Sequence, residues 1–332
     1  MNAIVTPALI DCPVCKTSCS NPPLYRYTAL EAATHFCPVT RNAERHERLK
    51  ACINRLWQGN ECVILRCPGC EFTFGYPFIS GDEEFYGILH EQQGYPAWRW
   101  DYDVAMREAV NPLKRGRILD IGAGVGMFLR TLGQEWECYG IEGSELTRTQ
   151  LEAAGIHVFR NLEAMRLEAG TFQVVTLFQV LEHIAEFRQT LTQCHQLLEP
   201  GGKIVITVPD GNAMIRQERV TGCPDMPPNH INKWAPKNLA LALHEAGFET
   251  QAAIYEPSSW RNLKSSLYLR VLADATHPRS VAAQVYRLKN KRLRVPLLAS
   301  LGGAALVRML PHVKQLQQGG AFAMIGIARS LK

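Results

Sequence analysis

No run of about eighteen uninterrupted apolar residues occurs in the sequence, so no stretch announces itself as a membrane span. The start, MNAIVTPALIDCPVC, lacks the basic opening and apolar core of a secretory signal, and the chain is expected to be soluble and cytoplasmic. Internal repeats and low-complexity segments are missing too, which argues against a solenoid or a flexible linker. Acids are scarce at one end: between 257 and 332, Asp274 stands alone against thirteen Lys or Arg. That stretch carries +12 while the remainder carries −7, a polarity hidden in the total of +5. Such a basic region is either a solvated face or one that meets an anionic substrate, a membrane surface or RNA.

What is present suits a large globular chain. Over 332 residues the hydrophobic fraction is 46%, enough for one large domain or two smaller ones. Eight of the eleven cysteines lie in the first ninety residues. Without a signal segment they point to metal ligands and buried thiols more than to disulfides. From about 100 to 256, short β-rich runs alternate with helical patterns, the mark of βαβ units and a parallel sheet. Strands are expected at 117–122, 137–142, 157–160, 172–178, 203–208, 249–255 and 321–329. Ser144 can N-cap a helix with Gly155 beyond its end, and Pro236 suits a first helical turn.

The stretch RILDIGAGVGMFLRTL, from Arg117, reads as a strand, a tight turn and the start of a helix. Glycines at 122, 124 and 126 permit positive φ and let a ligand approach the backbone. A dinucleotide fingerprint would need Gly-x-Gly-x-x-Gly, but position 127 is Met. Asp120, two residues before the turn, would repel a pyrophosphate and attract a cation. S-adenosylmethionine (SAM), with its ammonium and sulfonium, is such a ligand.

Five ordered pieces carry a family resemblance: LDIGAGVGMF; YGIEGSE, which puts Glu142 at the end of a strand; VVTLFQVLEHI; LLEPGGKIVITVPD; and PPNHINKWAPKNLALALHEAGFE. Together they resemble the class I SAM-dependent methyltransferases, in particular the branch of the ubiquinone-biosynthesis O-methyltransferases. The resemblance implies an α/β, Rossmann-like seven-stranded methyltransferase sheet. It implies that Glu142 accepts hydrogen bonds from the ribose diol, and that Asp120, Gly122, Ala123, Gly124 and Gly126 face the methionine moiety. Asn161 and Leu162 would line the adenine, with Gln179 and Val180 nearby. Many relatives carry an acid where Asn161 falls. Two histidines compete for the role of base toward an acceptor hydroxyl, His183 in VLEHI and His230 in PPNHINKW; a positioned base commonly contributes about 10²–10⁴-fold. Relatives use acids around the fourth-strand motif to help bind a metal; Glu182 and His183 match that pattern, but Gln179 stands where an acid often does, and a catalytic metal is not expected.

Residues 1–90 form a Cys-rich module. Cys12 and Cys15 in DCPVCK, with Cys67 and Cys70 in RCPGCEF, have the look of two zinc knuckles that complete a closed, structural Cys₄ site. The knuckles are separated by fifty-one residues holding a helical pattern. CVILR and FTFGYP read as a hairpin, as in a zinc ribbon, and a ribbon ahead of this catalytic domain occurs in bacterial relatives. The aromatic stretch FISGDEEFYGILHEQQGYPAWRWDY reads as packing between modules, the alternative being a lid. Residues 100–332 would be the SAM-dependent domain, with a basic helical insertion or cap at 257–320 between strands six and seven. Its apolar run, Val295 to Leu310, is bounded by prolines and short for a span.

The expected activity is methyl transfer from SAM to a small hydroxylated acceptor, a sugar or glycan or a secondary metabolite, with O-methylation favoured. The basic cap would suit an anionic acceptor, such as a nucleotide- or lipid-linked sugar, or peripheral contact with a membrane. An RNA methyltransferase is the rival, but no aromatic and basic interleaving suggests a base-stacking platform, and nucleic acid is disfavoured. A non-catalytic SAM-binding protein is the third reading. The oligomeric state cannot be read from the sequence.

Overall fold

The computed structural model describes residues 10–91, 99–165, 169–277 and 279–330. The chain begins with a small pair, β1 (Ile10–Asp11) and β2 (Ser18–Cys19), then β3 (Tyr25–Thr28). Helix α1 (Ala29–Phe36) starts at a Thr28–Glu31 capping box. Helix α2 (Ala43–Trp57) is N-capped by Asn42 and buries Leu49, Cys52, Ile53 and Leu56 at steps of three and four. The hairpin β4 (Glu61–Arg66) and β5 (Thr73–Tyr76) lies where expected, and α3 (Glu83–His90) follows.

Helix α4 (Trp100–Ala105) passes through a π-helical turn into α5 (Asn111–Leu113). The main sheet then builds from β6 (Gly116–Ile121), β7 (Trp136–Ile141), β8 (His157–Phe159), β9 (Phe172–Phe178) and β10 (Leu198–Pro209), with α6 (Glu145–Glu152) and α7 (Phe187–Leu197) between them. After α8 (Gly211–Thr221) and the two-residue β11 (Asn232–Lys233) come α9 (Pro236–Glu245), β12 (Phe248–Thr250) and β13 (Ile254–Tyr255). The insertion holds α10 (Trp260–Ala275), α11 (Val281–Arg287), α12 (Lys291–Met309) and α13 (Val313–Gln317), and β14 (Ala321–Ala328) closes the sheet. Ser144 caps α6 and Pro236 opens α9, as the sequence indicates.

The strand order is β12-β14-β10-β9-β6-β7-β8, with β13 also on β14; β14 runs antiparallel and β6 to β10 are parallel. This is the expected seven-stranded α/β sheet, its sixth strand broken into β12 and β13. Both faces are covered, so β9 reads as a nearly continuous apolar run, FQVVTLF.

Three features differ from expectation. First, the glycine turn does not open a helix: only one 3₁₀ turn, Leu129–Thr131, follows it. The nine residues 127–135 must return along a strand roughly 20 Å long. An α-helix of that length covers only about 14 Å, so the chain stays more extended. Second, Pro296 lies inside α12 and does not bound it, because Asn290 caps the helix one turn earlier. Third, β11 pairs with β5, giving a sheet β11-β5-β4-β3 that joins the Cys-rich module to the body of the chain. One apolar cluster contains Cys12, Phe72 and Phe74 from the module and Phe187, Trp234 and Leu239 from the body.

Candidate functional site

The carboxyl ends of β6, β7 and β9 open onto a cavity of about 1320 Å³. Ligands of open α/β sheets sit at this edge. Gly122, Gly124 and Gly126 all have positive φ, at 76°, 54° and 74°. A Cβ on Gly122 would stand 2.5 Å from Val180 Cγ2, so both conformation and space demand glycine there. Glu142 is clamped by the turn it faces: Gly124 N–H donates to Oε2 at 3.0 Å and Ser144 N–H to Oε1 at 2.8 Å. Each oxygen keeps a further lone pair for a ligand. Asp120 is buried and accepts from Thr176 Oγ1 at 2.8 Å. Burial pushes its carboxyl up to about 7; the Thr176 bond and Arg99 oppose this, while Asp101 and Glu142 add to it. A cationic ligand would relieve that frustration, and a pyrophosphate would worsen it.

Gln179, at the end of β9, holds a left-handed φ of 58°, a strain of the kind that marks functional sites. Its backbone N–H donates to Thr207 O at 2.9 Å and its side-chain amide to Thr207 Oγ1 at 3.3 Å. Thr207 in turn donates to Asp101 at 2.9 Å, and Arg99 clasps the same carboxylate with Nε at 3.0 Å and Nη2 at 2.5 Å. Arg99, Asp101 and Thr207 were not singled out from the sequence. An acid two residues after an arginine gives no signal until a strand threonine is folded onto it.

The two candidate bases meet. The rings of His183 and His230 lie 4.7 Å apart, at the 3₁₀ turn after β9 and in the loop before β11. His183 faces the cavity and its Nδ1 is 2.7 Å from the Asn229 carbonyl; His230 sits behind it, with Nδ1 2.6 Å from Asp225 Oδ1. Burial would lower His230, but Asp225, aided by Glu182, more than offsets it and raises the imidazole; His230 in turn holds Asp225 below the usual carboxylate range against burial. Glu182 is buried beneath both rings, 3.9 Å from His183 Nε2 and 4.0 Å from His230 Nε2. Its oxygens hydrogen-bond to no other described residue, and burial pushes it up to about 7. Glu182, His183 and His230 offer three ligand atoms within 4.8 Å of one another, a group that could hold a divalent cation.

Asp120, Gly122, Ala123, Gly124, Glu142, Asn161, Gln179, Val180 and His183 all border the cavity. Gly126 and Leu162 stand behind this lining, and Asn161 spends one oxygen capping the Leu162–Ala164 turn. The aromatic stretch, expected as packing, also walls the site. Gly81, Asp82, Glu83, Tyr86 and Gly87 border the cavity, and Arg160 pairs with Glu83 at 2.7 Å across it. Residues 92–98 of that stretch lie outside the described residues.

The four predicted cysteines form one cluster, with all Sγ atoms within 4.8 Å, Cys12 to Cys70 at 3.7 Å and Cys15 to Cys67 at 3.4 Å. Sulfurs around a tetrahedral zinc at about 2.3 Å would stand about 3.8 Å apart. The two knuckles repeat one geometry. Cys12 N–H donates to Thr17 O and Lys16 N–H to Cys12 O, as Cys67 N–H does to Phe72 O and Glu71 N–H to Cys67 O. Lys16 and Glu71, each following its knuckle, both adopt positive φ. Cys19, Cys37, Cys52 and Cys62 stay outside the cluster. Arg188 of α7 donates to the Pro13 and Val14 carbonyls and so fastens the first knuckle to the body.

A sheet of this order, with an acid-flanked glycine turn and a clamped strand-end glutamate around one cavity, defines an α/β protein whose ligand site lies at the carboxyl edge of its strands. Comparison with known proteins gives the family. A family model described as a methyltransferase domain matches residues 97–253. The ubiquinone biosynthesis O-methyltransferase of Roseobacter denitrificans is 31% identical over 187 residues, 49% of this chain and 72% of that protein. The protein of the same name from Xanthomonas axonopodis pv. citri is 26% identical over 54% of this chain and 89% of its own length. Among solved structures, Haemonchus contortus phosphoethanolamine N-methyltransferase 2 in complex with S-adenosyl-L-methionine is 16% identical, covers 74% of this chain and 56% of that one, and has a TM-score of 0.46. The chain belongs to the class I SAM-dependent methyltransferases.

Proposed function

We propose that the chain methylates a hydroxyl oxygen of a small acceptor, a sugar or secondary metabolite, with His183 as the base that faces it. The observation that carries this reading is the His183 ring at the cavity wall with Nδ1 2.7 Å from the Asn229 carbonyl, a contact that favours the tautomer whose basic lone pair is on Nε2. SAM supplies, when bound, a methyl made electrophilic by its sulfonium. Glu142 would hold the ribose diol, and Asp120 with the backbone of Gly122, Ala123 and Gly124 the cationic methionine end, Gly126 shaping the turn from behind. Asn161, Gln179 and Val180 would border the adenine, with Leu162 behind them. The acceptor oxygen takes the methyl as the carbon–sulfur bond breaks, and its proton passes to His183. The His230–Asp225 pair, packed behind at a tilt, holds that ring and its field in place. The relatives are O-methyltransferases by name, which supports oxygen as the acceptor atom.

The cysteine cluster would bind structural zinc: four thiolates close the coordination shell and leave no open position for chemistry. A second reading of the histidine group follows from the orphaned oxygens of Glu182. With His183 and His230 they suit a divalent cation that would polarise the acceptor hydroxyl. A basic insertion leaves an anionic acceptor in play.

Calorimetry with SAM and its demethylated product tests the cofactor site. Glu142→Ala should weaken both by about tenfold or more, the worth of a charge-assisted hydrogen bond. Transfer of labelled methyl to a panel of hydroxylated sugars and phenols tests the chemistry. His183→Ala should lower turnover by about 10²–10⁴-fold with SAM affinity intact. If neither His183→Ala nor His230→Ala lowers turnover tenfold, the base assignment fails. Loss of turnover with chelator, restored by magnesium, would select the cation reading. Binding without any product would leave a SAM-binding protein, and tight retention of bulk tRNA at physiological salt would favour RNA.

A further inference from the structure

The insertion turns apolar side chains outward. Among the described residues, nine of the sixteen exposed large hydrophobics lie between 255 and 310, including Leu293, Val295, Leu297, Val307 and Leu310 on or just after α12. Lys291–Gln317 is, among the described residues, the one helical stretch long and apolar enough to cross a membrane, with mean hydropathy 1.5 and only 11% of its most apolar window buried. A helix apolar all round belongs in a protein core or in lipid. This one has protein on a single side: Leu298, Leu301, Ala305 and Met309 pack with Leu263, Val271, Ala275 and Ala282 of the neighbouring helices. Leu293, Leu297, Ala304 and Val307 fall on another face at steps of three to seven.

Charge selects what covers that face. Arg287, Lys289, Lys291, Arg292 and Arg294 crowd the amino end of α12, Arg308 lies near the other end, and the insertion's single acid, Asp274, is paired with Arg270. A second protein surface would need acids to meet the basic cluster, and this chain's own insertion has none to offer a second copy. An anionic bilayer supplies both the apolar layer and the phosphates. Spanning is disfavoured, because the packed stripe ties α12 to α10 and α11 and Arg308 would enter hydrocarbon. The insertion also springs from the edge that holds the cofactor turn: Tyr255 pairs with Phe322 and Ala321 with Pro209, at the carboxyl end of β10.

We propose that the α10–α13 insertion is a membrane-docking surface, with α12 lying in the headgroup region of an anionic bilayer and the cofactor edge of the sheet turned toward it. The docking is independent of which acceptor is methylated.

Flotation of the full chain with phosphatidylcholine vesicles, with and without phosphatidylglycerol, tests this. Retention is expected only on the anionic vesicles, and should weaken as salt screens the charges. A combined Lys289→Glu, Lys291→Glu, Arg292→Glu variant should lose more than about a hundredfold in partitioning, at roughly fivefold per basic residue. Leu293→Ser with Val307→Ser should lose retention while keeping the wild-type melting temperature and SAM affinity. No retention at low salt would overturn the proposal, as would equal retention of the variants. Concentration-dependent dimers that Val295→Glu and Val307→Glu dissolve, in a chain that vesicles ignore, would assign the face to self-association instead.

Discussion

The Cys-rich segment at the amino end and the helical insertion near the carboxyl end are both additions to one sheet, and they treat their apolar residues in opposite ways. The first buries Phe72, Phe74 and Phe85 completely, takes a strand from the body and sends Tyr86 to the cavity wall. The second keeps a small core of its own and leaves Leu293, Val295 and Val307 facing outward. The amino-terminal addition is therefore part of the catalytic body, sharing its core and its pocket. The insertion is joined at its ends, where Glu256 accepts from Gly320 N–H at 2.8 Å, and along α10, where Arg270 donates to the Thr221 carbonyl and Val220 of α8 joins the apolar cluster, while the outer face of α12 is available to something else.

Breaking the cysteine cluster should separate the two additions most sharply. Structural zinc in such sites contributes about 10–16 kcal/mol of apparent binding energy, comparable to the whole stability of a domain. Cys67→Ser should therefore abolish zinc content, unfold the amino-terminal segment and take SAM binding with it. The Leu293→Ser and Val307→Ser variants should bind SAM as before. Metal analysis beside calorimetry checks this, and a Cys67→Ser chain that stays folded and binds SAM would reduce the cluster to four free thiols.

Next in size is the core that the segment shares with the body. Trp234 is fully buried, 4.7 Å from Phe72 and 5.1 Å from Phe187 by ring centroids. Trp234→Ala should cost about 3–5 kcal/mol in urea unfolding. Val307→Ala, on the outer face of α12, should stay within about 0.5 kcal/mol. Comparable losses at both positions would mean that the insertion's face is covered within the chain.

These contrasts were only partly legible in the sequence. The parallel strands and the glycine turn were, because buried strands between turn residues read as apolar runs, and three spaced glycines at a strand end fit few other conformations. The knuckles were too, since C-x₂-C fixes its own local geometry. Hidden features are those made by long-range pairing. A two-residue strand such as Asn232–Lys233 has no periodicity of its own and exists through β5. The meeting of His183 with His230 depends on the loop before that strand, and Glu182 gives no sign of its burial in VLEHI. The missing helix after the glycine turn was overridden by distance, and the role of Tyr86 in the cavity wall by packing that an aromatic-rich stretch does not specify.

The smallest expected effect is a pH dependence concentrated at that junction. Glu182, whose backbone carbonyl accepts from Ile231 N–H beside β11, titrates near 7 in the folded chain against 4.5 ordinarily. Between those values the folded state binds more protons than the unfolded one, so stability falls as pH rises and levels off above about 7. The raised His230 acts in the same direction: its contribution is complete below the ordinary 6.5 and is lost as pH climbs past its folded value. At about 1.4 kcal/mol per unit, Glu182 alone sets a ceiling of roughly 3 kcal/mol, a few degrees of melting temperature between pH 5 and 8. Asp120, also near 7, adds a similar slope that saturating SAM should remove, because the bound cation favours the carboxylate. Scanning calorimetry across that range separates them: Glu182→Gln should flatten the curve with or without SAM, whereas Asp120→Asn should flatten only the part that SAM abolishes. Parallel curves for wild type and Glu182→Gln would show that the histidine pair, and not the buried acid beneath it, sets the response of the junction.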